Sequence, residues 1–265
     1  MKNILKIMLM MITIFTIAGS AVYAAEIPVS DQDQLITSND WTEISNLQDE
    51  MKKEEPDATI DYDKALKVYV DCNLIKLQTA DTKKLTSALE SANYVWVIPF
   101  KMEKTYGMFT VAKGLPLREE AKSVLTKAEQ EEVKNHAGKW MITEIAEHTV
   151  EPYYDILLEK REALSDCTRV VLVGSQPGMR QPVALGMDDE TARIWISLGY
   201  QYPVMEKIPE TQNVESGVYS FDSVAEISDT YIEDSEVSTG SGVQSRSSMK
   251  YVAGIGIIVI GSILI

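Results

Sequence analysis

The chain is predicted to be α+β: a single globular domain with a mainly antiparallel sheet and helices packed largely on one face, followed by a disordered tether and a C-terminal hydrophobic segment. Three observations predict it. Runs with period-two alternation recur at short spacing and are joined by tight turns. Helical runs with apolar residues at i, i+3, i+4 and i+7 are interspersed among them without the strict strand–helix alternation of a parallel sheet. After Pro203 the periodicity stops, and acids mix with Ser, Thr and Gly.

Residues 25–60 form a polar leader with one possible helix at 41–54, started by Asp40 and Glu43 at capping-box spacing. Trp41, Ile44, Leu47 and Met51 share its apolar face, and Pro56 follows its end. From Ala65 the period changes to two. Leu66, Val68, Val70 and Cys72 point one way, and Lys67, Tyr69 and Asp71 the other, as in a half-buried strand. Asp81 and Thr82 then supply cap residues for a helix carrying Leu85, Ala88, Leu89 and Ala92.

Tyr94–Phe100 is the most β-prone stretch. Its Pro99 lacks a ladder donor, so the strand is expected to end there or to lie at an edge. Thr105–Lys113 returns as its hairpin partner. Two helical steps follow, Arg118–Leu125 and then a fresh helix capped by Thr126 and Glu129. Gly138 suits the left-handed residue that closes it. Lys139–Ile145 predicts a strand with Trp140, Ile142 and Glu144 on one side. A helix begins at Pro152; Arg169–Val173 is a short buried strand. Pro182–Met187 and Ala192–Leu198 form a hairpin, and the domain, 61–202, ends near Tyr202. Both halves share a loose order of helix, strand, turn and strand, without a residue-level repeat.

The flanks carry expectations about place. Lys2 and Lys6, an apolar stretch Ile7–Ile17 and small residues through Ala25 make 1–24 an export signal of bacterial type. Residues 203–248 are expected to be an acidic, Ser/Thr-rich disordered linker. Glu210–Gln244 holds eight acids and no Lys or Arg. Residues 249–265 are expected to anchor the chain in a membrane, because Tyr251–Ile265 carries no charge. As a helix those fifteen residues reach only ~22 Å against a hydrocarbon core of ~30 Å. The body would then face the outside of the cell membrane.

Composition excludes more chemistry than it suggests. A formal net charge of −15 argues against nucleic-acid binding, which needs concentrated Lys and Arg. Two histidines, His136 and His148, without a His-Glu-x-x-His pattern give no metal site, and no cofactor motif is present. There is no Gly-x-Ser-x-Gly elbow and no phosphate loop. Asp61-Tyr62-Asp63 and Asp188-Asp189-Glu190 are the densest acidic clusters of the body, but each sits where acids cap helices and make turns. Trp96, Trp140 and Trp195 fall on predicted strands, as core residues. Cys72 and Cys167 are a disulfide candidate; two buried thiols are the alternative. One loop, Gly174–Gln181, has the texture of a recognition surface, making Ser175, Gln176, Pro177, Gly178 and Arg180 the candidate binding residues.

The functional expectation is an exported, membrane-tethered module, without an evident catalytic site, that binds an envelope or extracellular protein or peptide. The competing expectation is an exported hydrolase built from scattered carboxylates or a Cys-His pair.

Overall fold

A computed structural model describes residues 27–148, 152–174, 176, 179, 181–199, 205–209, 213–235 and 249–250. The expected signal at 1–24, the linker from 236 to 248 and the apolar run 251–265 lie outside the described residues.

The described chain builds one eleven-stranded sheet with helices against it. Its helices are α1 (Trp41–Ile44), α2 (Gln48–Glu54), α3 (Thr82–Ser91), α4 (Glu119–Lys122), α5 (Lys127–His136), α6 (Tyr153–Glu159) and α7 (Phe221–Ser235). The strands are β1 (Thr59–Ile60), β2 (Leu66–Val70), β3 (Asn93–Lys101), β4 (Tyr106–Lys113), β5 (Trp140–His148), β6 (Arg169–Val173), β7 (Val183–Met187), β8 (Ala192–Ser197), β9 (Asn213–Glu215), β10 (Val218–Ser220) and β11 (Met249–Lys250). The spatial order is β11-β5-β4-β3-β2-β6-β7-β8-β10-β9, with β1 beside β3. Two antiparallel meanders therefore meet at one parallel seam, β2 against β6, in the register Val68 opposite Leu172.

Residues opposite one another share a face, so the registers define the layers. One face carries Tyr69, Trp96, Phe109, Val111, Val171 and Trp195. Leu35, Ile44 and Met51 of the N-terminal segment cover it over β3–β5, and Leu85, Leu89, Phe221 and Val224 of α3 and α7 cover it over β6–β8. The opposite face, with Val68, Leu172, Ala184 and Ile196, packs against Tyr153 and Leu157 of α6. Most core-covering helices thus lie on one side, as the sequence predicts.

Four expectations change. The leader is not a separate polar element: Leu35, Ile44 and Met51 are fully buried, and Ile27 nearly so. β3 does not stop at Pro99. Its carbonyl accepts the Asp61 N–H at 2.9 Å, and its missing donor falls where the Tyr62–Lys64 turn interrupts the neighbouring chain between β1 and β2. Glu144 does not share a side with Ile142. A bulge at Thr143 pairs Ile142 with Val111 but Glu144 with Thr110, which moves the carboxylate to the opposite face. The domain also does not end at Tyr202. β10 pairs with β8, and α7 lays Phe221 and Val224 on the sheet, so the first part of the expected linker is core. Acid-rich composition hid a helical face formed by Phe221, Val224 and Ser228.

Between β4 and β5 the chain leaves the sheet as an arm holding α4 and α5. Thr126 and Glu129 form the expected capping box, and Gly138 takes φ 76°. The arm is pinched at its base: Gly114 N–H donates to Lys139, and Gly138 N–H to Gly114, at 2.9 and 2.8 Å. A Cβ on Gly114 would stand 2.1 Å from the His136 carbonyl oxygen, a backbone atom that cannot step aside cheaply. Gly114→Ala is expected to lower stability by about 1–3 kcal/mol, read from the urea midpoint. An unchanged midpoint would mean the pinch opens freely.

Candidate functional site

The loop after β6 is where the sequence points first. Of its candidate residues, Gln176 is 3% exposed and faces inward. Its Oε1 accepts the Leu74 N–H at 3.0 Å, and its Nε2 donates to the carbonyls of Cys72 and Gly174 at 2.5 and 2.9 Å. All three contacts are to backbone, so the side chain is a strut that fixes the course of residues 72–75. Ser175, Pro177, Gly178 and Arg180 lie outside the described residues.

The strut positions one wall of a cleft. The chain from Ile75 to Ala80, turning at Gln78 in the left-handed region (φ 48°), faces the first two turns of α7. The space between them is about 310 Å³, lined by Ile75, Gln78, Thr79, Ala80, Phe221, Asp222, Ala225 and Glu226. Phe221 forms part of the floor and stacks on the buried Trp195 indole, with centroids 5.7 Å apart and planes 11° apart. On the other side Thr82 locks the wall to the β7–β8 turn: its N–H donates to the Glu190 carbonyl at 3.0 Å and its Oγ1 to that of Asp188 at 2.9 Å. An apolar floor with carboxylates on one helix at i and i+4 can hold an amphipathic or cationic side chain by contact and charge. Sequence reading missed this cleft because its two walls are about 140–150 residues apart, and one lay in a stretch assigned to linker.

Among the described residues a dense titratable cluster lies elsewhere, beneath the N-terminal segment. Asp33, 2% exposed, accepts from Ser30 Oγ at 2.6 Å, Tyr69 OH at 2.7 Å and an Arg169 guanidinium nitrogen at 3.0 Å. Lys67 Nζ stands 3.8 Å from Asp33 and lies over the rings of Tyr94, Trp96 and Tyr69 at 4.5, 5.2 and 5.8 Å. Asp40 accepts from Tyr94 OH and Trp96 Nε1 at 2.9 and 3.0 Å. Burial holds the Lys67 ammonium below the usual lysine range, partly offset by Asp33 and Asp40. Burial, then the Asp40 bond and charge, push Tyr94 up to about 12. The cluster balances two carboxylates against two cations and fastens the N-terminal segment to β2 and β3. Lys67 and Tyr69 were expected on the solvent side; the segment that covers them is the reason they are not.

The remaining sequence candidates serve the fold. Cys72 and Cys167 are free and buried, and they belong to core layers on opposite faces of the sheet. The parallel seam also sets them at opposite ends, Cys72 just past β2 and Cys167 just before β6. The disulfide candidate is therefore withdrawn, since bridged Cα atoms stand within about 7 Å. Desolvation raises both thiols to about 11. Asp188 makes a turn, accepting the N–H groups of Thr191 and Glu190 at 2.7 and 2.8 Å and the Arg193 guanidinium at 2.6 Å. Those backbone donors, Thr191 first, hold its carboxyl below the usual range. His136 closes α5; the side chain of His148 lies outside the described residues. Among the described residues no group of three or more His, Cys, Asp or Glu could hold a metal.

Among the described residues Glu144 is the one carboxyl group held above its ordinary value of 4.5. Desolvation is the main cause, and the Thr110 hydroxyl offsets part of it. A raised folded value favours the folded state at low pH. That contribution is complete below the unfolded value and is lost as pH rises through the folded value. Glu144→Gln is therefore expected to remove one downward step in stability as the pH rises above the ordinary glutamate value, without changing the low-pH end. Urea midpoints across that range would show it, and parallel profiles for the two chains would refute it.

Compared with protein-family models, with curated proteins and with solved structures, the chain matches none of them.

Proposed function

We propose that the chain is an exported, membrane-tethered module that binds a protein or peptide partner outside the cell, using the cleft between Ile75–Ala80 and α7. The observation that carries the binding part is the cleft itself. It has an apolar floor of Ile75, Ala80 and Phe221 and a rim with Asp222 and Glu226. Concave apolar surface with a few placed polar groups is the common form of a recognition site. The rim chemistry suits a basic or amphipathic side chain presented on a peptide. Tethering is supported by the charge-free run Tyr251–Ile265 and by the signal-like residues 1–24.

Against the hydrolase alternative, both thiols are buried and protonated at neutral pH. The charged groups acting on them are Asp71 for Cys72 and Arg193, Asp188 and Asp166 for Cys167, with no histidine among them. A thiol in that setting is a poor nucleophile.

Two experiments test the proposal separately. Fractionation of the full chain against one ending at Lys250 tests the tether: release of both to the medium alike would reject it. Capture from envelope extract by the full chain, set against an Ala225→Arg variant that fills the cleft, tests the binding site. Loss of a partner on Ala225→Arg supports the cleft; equal capture moves the site elsewhere, and no capture by either argues against a binding module.

A further inference from the structure

The cluster beneath the N-terminal segment holds one pair of unusual geometry. The side chain of Lys67 is 11% exposed and that of Asp33 2%, yet Nζ stands 3.8 Å from Oδ1, too far for a hydrogen bond. Three rings hold the amine at that place, those of Tyr94, Trp96 and Tyr69 at 4.5, 5.2 and 5.8 Å. Asp40 fixes the two nearest rings by accepting from Tyr94 OH and Trp96 Nε1. The Asp33 carboxylate, in contrast, is well supplied with donors. Tyr69 OH reaches Oδ1 at 2.7 Å, and Ser30 Oγ and an Arg169 nitrogen reach Oδ2 at 2.6 and 3.0 Å.

We infer that Lys67 and Asp33 condense into an intramolecular amide that closes the N-terminal segment onto β2. Nζ bonds to the Asp33 Cγ, and the bond from Cγ to Oδ1 breaks. Oδ1 leaves as water with two protons from the ammonium, and no oxidant or reductant is needed. Oδ1 is the oxygen facing Lys67, and Tyr69 OH donates to it, so a proton carrier stands at the leaving atom. Oδ2 becomes the amide oxygen. Negative charge develops on it as the nitrogen adds, and Ser30 and Arg169 already donate there. Burial lowers the affinity of Lys67 for its proton, which favours the free amine that attacks. The product loses two buried charges and keeps Asp40 and Arg169, which are of opposite sign. Lys64 and Asp155 make the contrast. They stand closer, at 2.7 Å, but both side chains are partly solvated, and water keeps them an ordinary ion pair.

Tryptic mapping of the denatured full chain tests the bond. It blocks cleavage after Lys67 and is expected to give a branched peptide, Ala65–Lys76 joined to the peptide that carries Asp33, about 18 Da lighter than the two together. Cleavage after Lys67 in most molecules, with the two peptides separate, would overturn the inference. A branch at Asp40 would also overturn it, as would a branched peptide that survives Asp33→Ala. The wild-type map decides the matter alone if that variant fails to fold. Tyr69→Phe keeps the ring and removes the donor, and is expected to slow bond formation in freshly synthesised chain at least about tenfold. An equal rate would remove Tyr69 from the step. None of these outcomes depends on the tether or on the cleft.

Discussion

Asp33→Ala is expected to cost about 3–5 kcal/mol of unfolding free energy, the scale for removing one partner of a buried charge cluster. The carboxylate it deletes is 2% exposed and serves Tyr69 OH, Arg169 and Ser30 directly, with Lys67 Nζ 3.8 Å away. After the change, Lys67 and Arg169 remain under the N-terminal segment with Asp40 as the nearest balance, and Arg169 Nε already lacks a partner. The penalty is that of two stranded cations, not of the lost bonds alone. Against a total stability of about 5–15 kcal/mol for a domain, this is a large fraction. Asp33→Asn keeps an acceptor for Tyr69 but not the charge, so it should fall between wild type and Asp33→Ala. Lys67→Met in the Asp33→Ala background should recover part of the loss, because it removes one stranded cation and keeps contact with the Tyr94 and Trp96 rings. Urea denaturation of the wild type, Asp33→Ala, Lys67→Met and the double variant closes the cycle, with Asp33→Asn measured beside them. A drop below about 1 kcal/mol for Asp33→Ala would show that water reaches the cluster and that the N-terminal segment is loosely held.

How much of this was legible in the sequence depended on whether a feature is local. The capping box at Thr126 and Glu129, the left-handed Gly138 and the β7–β8 hairpin are encoded within a few residues, and each stands where the pattern put it. The parallel seam is not local. It follows from which faces of two meanders can be buried together, and no spacing in β2 or β6 announces it. Lys67 shows the same limit. Alternation assigns it to solvent, and only the fold of residues 30–51 over the sheet turns a surface lysine into a caged one. Gln176 was singled out for its loop, and it proved to be a brace for residues 72–75, one step removed from the cleft it helps to shape. The cysteines were read from oxidation chemistry, but topology decided them, because a sheet lies between the two thiols. The bulge at Thr143 reversed Glu144 for a similar reason: one unpaired residue changes the face of everything after it, and period-two counting does not see it.

Phe221→Ala is the sharpest test of where the domain ends, and about 3–5 kcal/mol is the expected loss. If residues 203–248 were a solvated linker throughout, truncating one ring there would change nothing. In the structure the ring lies flat on Trp195, itself fully buried on β8, and Val224 one turn on is fully buried against the same layer. Removing the ring opens a void over the indole and loosens the first turns of α7, which Ser220 holds by accepting the Ser223 N–H at 3.1 Å. The same change removes part of the floor of the cleft. Partner capture and stability should therefore fall together for Phe221→Ala, whereas Ala225→Arg, at a half-buried position, should abolish capture with a smaller loss of stability. Amide exchange adds a separate reading: protection of Val224–Ser228 in the wild type should approach that of β8, since the two bury one another. Fast exchange at Val224–Ser228 beside a slow β8 would detach α7 from the core, and with it both the revised boundary and the cleft.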